Sequence, residues 1–112
     1  MNANDQLKEF TGTENYYQYM FGMLITDGVK TLCERFECWW FLDIVCSYQP
    51  VLKQEDFQAW SLGVNEDGSA VVICTDGNDR ILKTQDIPFT DFKAKESTVW
   101  CVMGVVLLPS EY

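Results

Sequence analysis

The sequence predicts an α+β domain in which N-terminal helices pack on one face of a C-terminal antiparallel sheet of about four strands. Three observations carry that expectation. Val29, Leu32, Cys33 and Phe36 recur at the i, i+3, i+4, i+7 spacing of a helix. The stretch Cys38 to Pro50 is almost continuously apolar, and between Trp39 and Tyr48 Asp43 is its only charge. After Pro50 the apolar period changes to two, with turn residues between the runs.

Asn4 to Phe10 reads as a short amphipathic start, with Leu7 and Phe10 three residues apart and Lys8 and Glu9 facing water. Thr13 is a candidate N-cap for a second short helix, Glu14 to Met20, whose acid in the first turn suits the helix dipole. Phe21 to Ile25 has no decisive period. Thr26-Asp27-Gly28 is a cap signal for the helix that carries Val29 to Phe36, with Lys30 and Glu34 paired at i, i+4 on its wet side. The Cys38 to Pro50 segment is apolar nearly all round, which predicts a central helix packed between the Val29 to Phe36 helix and the sheet. Pro50 ends it, because the residue before a proline is pushed out of the helical region.

Phe57 to Val64 alternates, with Gln58, Trp60, Leu62 and Val64 in one register. Asn65 to Gly68 is then a turn, Ala70 to Thr75 a second strand, and Asp76 to Asp79 a second turn. Ile81 to Ile87 is a third strand, with Lys83 and Gln85 expected on its wet face. Thr98 to Leu108 is apolar on both faces and reads as one covered strand stopped by Pro109. A four-stranded meander needs a helical layer over one face, and residues 1–49 supply it, so the expectation is a single domain over residues 1–112.

Seventeen acids against eight bases give a formal net charge of −9. The excess is spread along the chain, so direct binding to a nucleic-acid backbone or to an anionic membrane is disfavoured. The start of the chain has no basic and apolar leader, and the five cysteines are odd in number with most of them inside apolar runs. That pattern suits reduced, buried thiols and a cytoplasmic location.

Chemistry-bearing constellations are sparse. Asp43, enclosed by apolar neighbours, is the singular carboxylate, and a pocket lined by Asp43, Tyr48 and Trp60 is the candidate ligand or catalytic site. No second catalytic acid is fixed near it, so no catalytic residue is assigned. Asp76 to Asp79 lacks the spacing and terminal glutamate of a calcium loop. Without histidine or a CxxC pair, neither a zinc site nor a histidine-activated cysteine is predicted, and no cofactor is expected. Tyr16, Tyr17, Tyr19, Trp39 and Trp40 stand among acids and read as mostly core, with one of the two tryptophans exposed.

The acidic surface points to a protein partner with a basic face. Glu66 and Asp67 on the first turn, and Asp76 and Asp79 on the second, are the candidate contacts.

The motifs F-T-G-T-E-N-Y-Y at Phe10 to Tyr17, T-D-G-V-K at Thr26 to Lys30, W-x-L-D-I-V-x-S-Y-Q at Trp40 to Gln49, and L-L-P-S-E-Y at Leu107 to Tyr112 carry a resemblance. They resemble a family of short proteins of unknown function from bacteria, phages and mobile elements. The resemblance implies no activity and transfers no catalytic residue. It implies a phage or mobile-element context, in which a small acidic protein serves as a non-enzymatic inhibitor of a host defence nuclease. An anti-CRISPR-like protein filling a basic RNA or DNA channel is the concrete form. A small ligand-binding domain or enzyme around Asp43, and a homodimer or adaptor built on an exposed aromatic patch, are the alternatives.

Overall fold

The computed structural model describes residues 1–112. Seven strands form one sheet: β1 (Tyr16–Gln18), β2 (Leu24–Thr26), β3 (Phe57–Val64), β4 (Ala70–Thr75), β5 (Ile81–Ile87), β6 (Glu96–Val102) and β7 (Val105–Leu107). Their spatial order is β1-β2-β7-β6-β3-β4-β5. Two helices, α1 (Asp27–Phe36) and α2 (Trp39–Ser47), interrupt the chain between β2 and β3. Short 3-10 turns cover Ala3–Leu7, Met20–Gly22, Gln49–Val51 and Pro109–Glu111. No helix is long and apolar enough to cross a membrane.

The three strands read from period-two alternation are present as β3, β4 and β5. Gln58, Trp60 and Leu62 of β3 are buried beside Ala70, Val72 and Cys74 of β4, because directly paired residues share a face. Trp60, Leu62, Ala70, Val72 and Cys74 form one core with Val29, Leu32, Cys33 and Phe36 of α1 and Phe41, Leu42, Val45 and Cys46 of α2. Each such fully buried Leu or Phe contributes about 1.5–3 kcal/mol.

Six expectations are corrected. The sheet has seven strands, not about four, and it is mixed, since β2 runs parallel to β7. The segment expected as one strand, Thr98 to Leu108, folds back at Met103-Gly104, so Val102 pairs with Val105. Both central residues have positive φ, 48° and 88°, as a two-residue hairpin turn of the inverse kind requires. The apolar period runs through that turn unbroken, because the exposed Met103 continues it as one more apolar residue.

The expected helix Glu14 to Met20 is instead β1, whose Tyr17 pairs with Ile25 of β2. The acid and threonine that suggested a cap are used differently. The Thr13 hydroxyl accepts the Asp27 N–H at 2.9 Å and donates to the Asn15 carbonyl at 2.6 Å.

Helix α2 is not wrapped on all sides. It buries Phe41, Leu42, Val45 and Cys46, but Asp43 and Ser47 are exposed and Trp40 and Ile44 half-buried. These four follow i, i+3, i+4, i+7, so an apolar sequence presents a water-facing stripe. Both tryptophans are half-buried: Trp39 stacks on Tyr19 with ring centroids 5.6 Å apart, and Trp40 lines a groove. Lys83 and Gln85, expected on a wet face, lie on the helical side. They pair with buried Cys74 and Val72, and Tyr48 covers both. Tyr48 meets these polar side chains with its hydroxyl and its ring, so they are accommodated on the helical side.

Candidate functional site

Three of the four motifs meet at the N-terminus of α1. Thr26 caps the helix by accepting the Val29 N–H. The Asp27 carboxylate accepts the backbone N–H groups of Glu14 and Asn15 at 3.0 and 3.2 Å and the Tyr17 hydroxyl at 2.8 Å. The Tyr17 bond, followed by the two amides, holds the Asp27 carboxyl below the usual carboxylate range. From the other end of the chain, Glu111 accepts the Thr26 hydroxyl at 2.6 Å, the Gly28 N–H at 3.1 Å and the Leu108 N–H at 2.9 Å. Lys30 sits 5.0 Å above the Tyr17 ring. These contacts make a knot that ties residues 13–17 and 108–111 to the start of one helix.

The fourth motif supplies a second internal network. Gln49 and Gln58 exchange amide hydrogen bonds at 2.9 and 3.0 Å, and the Trp60 indole N–H donates to the Gln58 oxygen at 2.9 Å. The remaining amide hydrogens go to the Val45 and Glu55 carbonyls. This pair forms part of the wall of a ≈430 Å³ cleft that Phe21, Leu52, Asp56 and Met103 also line. All four amide hydrogens are taken, so the pair offers a ligand no free donor.

Asp43, Tyr48 and Trp60 do not come together as one pocket. Trp60 is 1% exposed on the inner face, Tyr48 covers it at 5.7 Å between ring centroids, and the Tyr48 hydroxyl donates to Gln85 at 3.0 Å. Asp43 lies apart on the wet stripe of α2, where it accepts the Tyr19 hydroxyl at 2.5 Å. Burial and that carboxylate push the Tyr19 hydroxyl well up. Asp43 belongs to a ≈500 Å³ groove with Trp40, Ile44, Ile87, Phe89 and Asp91.

The candidate acidic contacts separate. Glu66 and Asp67 lie on the β3–β4 turn, whereas Asp76 and Asp79 lie on the β4–β5 turn at the other end of β4. Asp67 is turned inward onto the Ser69 N–H and hydroxyl at 2.9 and 2.6 Å. Asp76 accepts the Asn78 N–H at 2.8 Å and Arg80 Nε at 3.2 Å, and Arg80 also pairs with Glu55 at 2.9 Å. The second turn is therefore partly neutralised.

The sheet face opposite the helices remains uncovered by any helix. Its centre is made of small residues, Ala59, Ser61 and Gly63 of β3, flanked by Thr98 and Trp100 of β6 and by Val71 and Ile73 of β4. At one end Phe57, Trp100 and Tyr112 form an aromatic cluster with centroids 5.1 to 6.4 Å apart. At the other end Glu96 and Asp86 flank Gly63 and Val71. No Lys or Arg occupies an outward strand position.

The sequence model of a family of unknown function, DUF6876, matches residues 1–112. The chain belongs to that family. Comparison with curated proteins and with solved structures gave no match. Membership of DUF6876 bears out the resemblance carried by the four motifs, and the structure explains three of them as the α1 knot.

The exposed face and the Asp43 groove were missed as sites by sequence reasoning. The available signal was the run Ala59, Ser61, Gly63, in which alternate positions are too small to build a second core. For the groove it was the i, i+3, i+4, i+7 relation among Trp40, Asp43, Ile44 and Ser47.

Proposed function

We propose that the chain is a non-enzymatic interaction protein that engages a basic protein partner through the uncovered face of its sheet. The observation that carries this reading is that face itself. A trough of small residues runs along β3 between Trp100 and Ile73, with two carboxylates and no outward cation along the strands. Two inter-strand spacings set the flanking columns about 9.6 Å apart centre to centre, so the trough between them admits side chains projecting from a partner helix laid along β3. A net charge of −9 favours and steers association with a basic surface. In its sharpest form the partner is a nucleic-acid-handling effector of a host defence system, and this chain is an anti-CRISPR-like inhibitor from a phage or mobile element. Five buried free thiols suit the cytoplasm, where such a partner works.

The test is co-purification with candidate effector nucleases at low and high salt, using wild type and Ser61→Arg. Binding that weakens with salt and is lost on filling the trough supports the reading. Equal binding by Ser61→Arg removes the face from it. A dimer in light scattering that Ser61→Arg dissolves replaces it with a homo-oligomeric adaptor.

A further inference from the structure

We propose that the groove between α2 and residues 87–91 is a binding site for an arginine side chain of a basic protein partner. It stands on the helical side of the molecule and does not depend on the sheet face. Trp40 and Ile44 of α2, with Ile87 and Phe89, make its apolar walls, and Asp43 and Asp91 supply carboxylates within a ≈500 Å³ volume. None of the ion pairs in the structure engages either carboxylate.

The site is held in place before anything binds. Asp43 is fixed by the Tyr19 hydroxyl at 2.5 Å, and Tyr19 is fixed by its stack on Trp39. Phe89 is 73% exposed, yet its ring rests 3.3 Å from the position a Gly68 Cβ would take, and the next amide, Thr90 N–H, bonds the Gly68 carbonyl at 2.8 Å. A large aromatic ring is thus presented to water on a pinned backbone. Folding gains little from leaving Trp40, Ile44 and Phe89 accessible, and that is the exposure a desolvating contact uses.

Arginine matches this chemistry better than the other cations. Its planar guanidinium is weakly hydrated, stacks on a tryptophan face and donates several N–H groups to carboxylates. A lysine ammonium is a strongly hydrated point charge, and a quaternary ammonium has no N–H to give Asp43 or Asp91.

The experiment is an NMR titration of the full chain with N-acetyl-arginine methylamide and with its neutral citrulline isostere, read at the Trp40 indole N–H. The expected result is a Trp40 shift with arginine affinity at least about tenfold above citrulline. Replacing both acids, Asp43→Asn with Asp91→Asn, should weaken the arginine probe about tenfold, and Phe89→Ala about fivefold. Amide spectra unchanged away from the groove establish that these surface variants fold. Asp67→Asn and Ser61→Arg should leave the titration unchanged, which separates this site from the sheet face. Equal response to citrulline, shifts spread over the acidic surface without Trp40, or tetramethylammonium bound as tightly as arginine would each overturn the proposal.

Discussion

The Glu111 carboxylate sits against the backbone of Gly28, accepting its N–H at 3.1 Å across 83 residues of sequence. A Cβ on residue 28 would lie 2.7 Å from Glu111 Cδ and Oε1 and from Leu108 Cδ1. The absence of a side chain at this point of the T-D-G motif is therefore what lets the S-E-Y terminus dock. Gly28→Ala should destabilise by about 1–3 kcal/mol despite the better helix propensity of alanine. Glu111→Ala should cost about 1–2 kcal/mol as a lost cap. Because both act on one contact, the double variant should lose less than the sum in urea denaturation. Strict additivity would mean that the terminus does not dock there.

Gln58 is 2% exposed and serves both Trp60 and Gln49. Gln58→Leu keeps the volume apolar but leaves the buried indole N–H and one Gln49 amide hydrogen without acceptors. A loss of about 2–4 kcal/mol in chemical denaturation is expected. A change under 1 kcal/mol would mean that water substitutes for the amide.

The buried thiols should be inert and should make the fold sensitive to alkali. Burial pushes Cys46 and Cys74 up to about 12 and Cys101 up to about 11, and burial also raises the Tyr19 hydroxyl. Modification by a thiol reagent at pH 8 should run at least about a hundredfold slower in the folded protein than in urea. These groups keep their protons in the folded chain where the unfolded chain releases them, so their contribution is complete below the unfolded thiol pKa of about 8.5. It is lost as pH rises from about 9 towards 12, which thermal denaturation across that range would register.

Asp27 acts at the other end of the scale. Its folded pKa is lowered, first by the Tyr17 hydroxyl, so its contribution is present above the unfolded value near 3.9 and lost as pH falls below it. Tyr17→Phe should lower stability at neutral pH and flatten the acid limb, measured as the denaturation midpoint between pH 6 and pH 3. An unchanged acid limb would separate Asp27 from acid unfolding.

Met103 holds a left-handed conformation, φ 48°, with 78% of its surface exposed. Met103→Asn should stabilise the β6–β7 turn by about 0.5–1 kcal/mol, because asparagine tolerates this region and little packing is lost. A fall in melting temperature would instead show that Met103 has a contact worth more than its backbone strain.

The parts legible in the sequence were those governed by local period and local turn chemistry. Thr26 and the Val29 to Phe36 stripe specified α1, and the alternation and Gly-containing turns specified β3, β4 and β5 with their ends. Net charge, the unpaired cysteine count and the four family motifs were also readable without a fold. What tertiary structure alone decided was every relation that joins distant residues. Tyr17 became a strand residue because Ile25 offered a partner, and β7 entered the sheet because it pairs with both β6 and β2. Asp43 faces water because the helix period points its neighbours Leu42 and Val45 into the core and leaves its own azimuth outside. A strand's alternation marks two faces but not which of them a helix covers. That choice, made by long-range packing, created both the open sheet face and the groove beside Trp40.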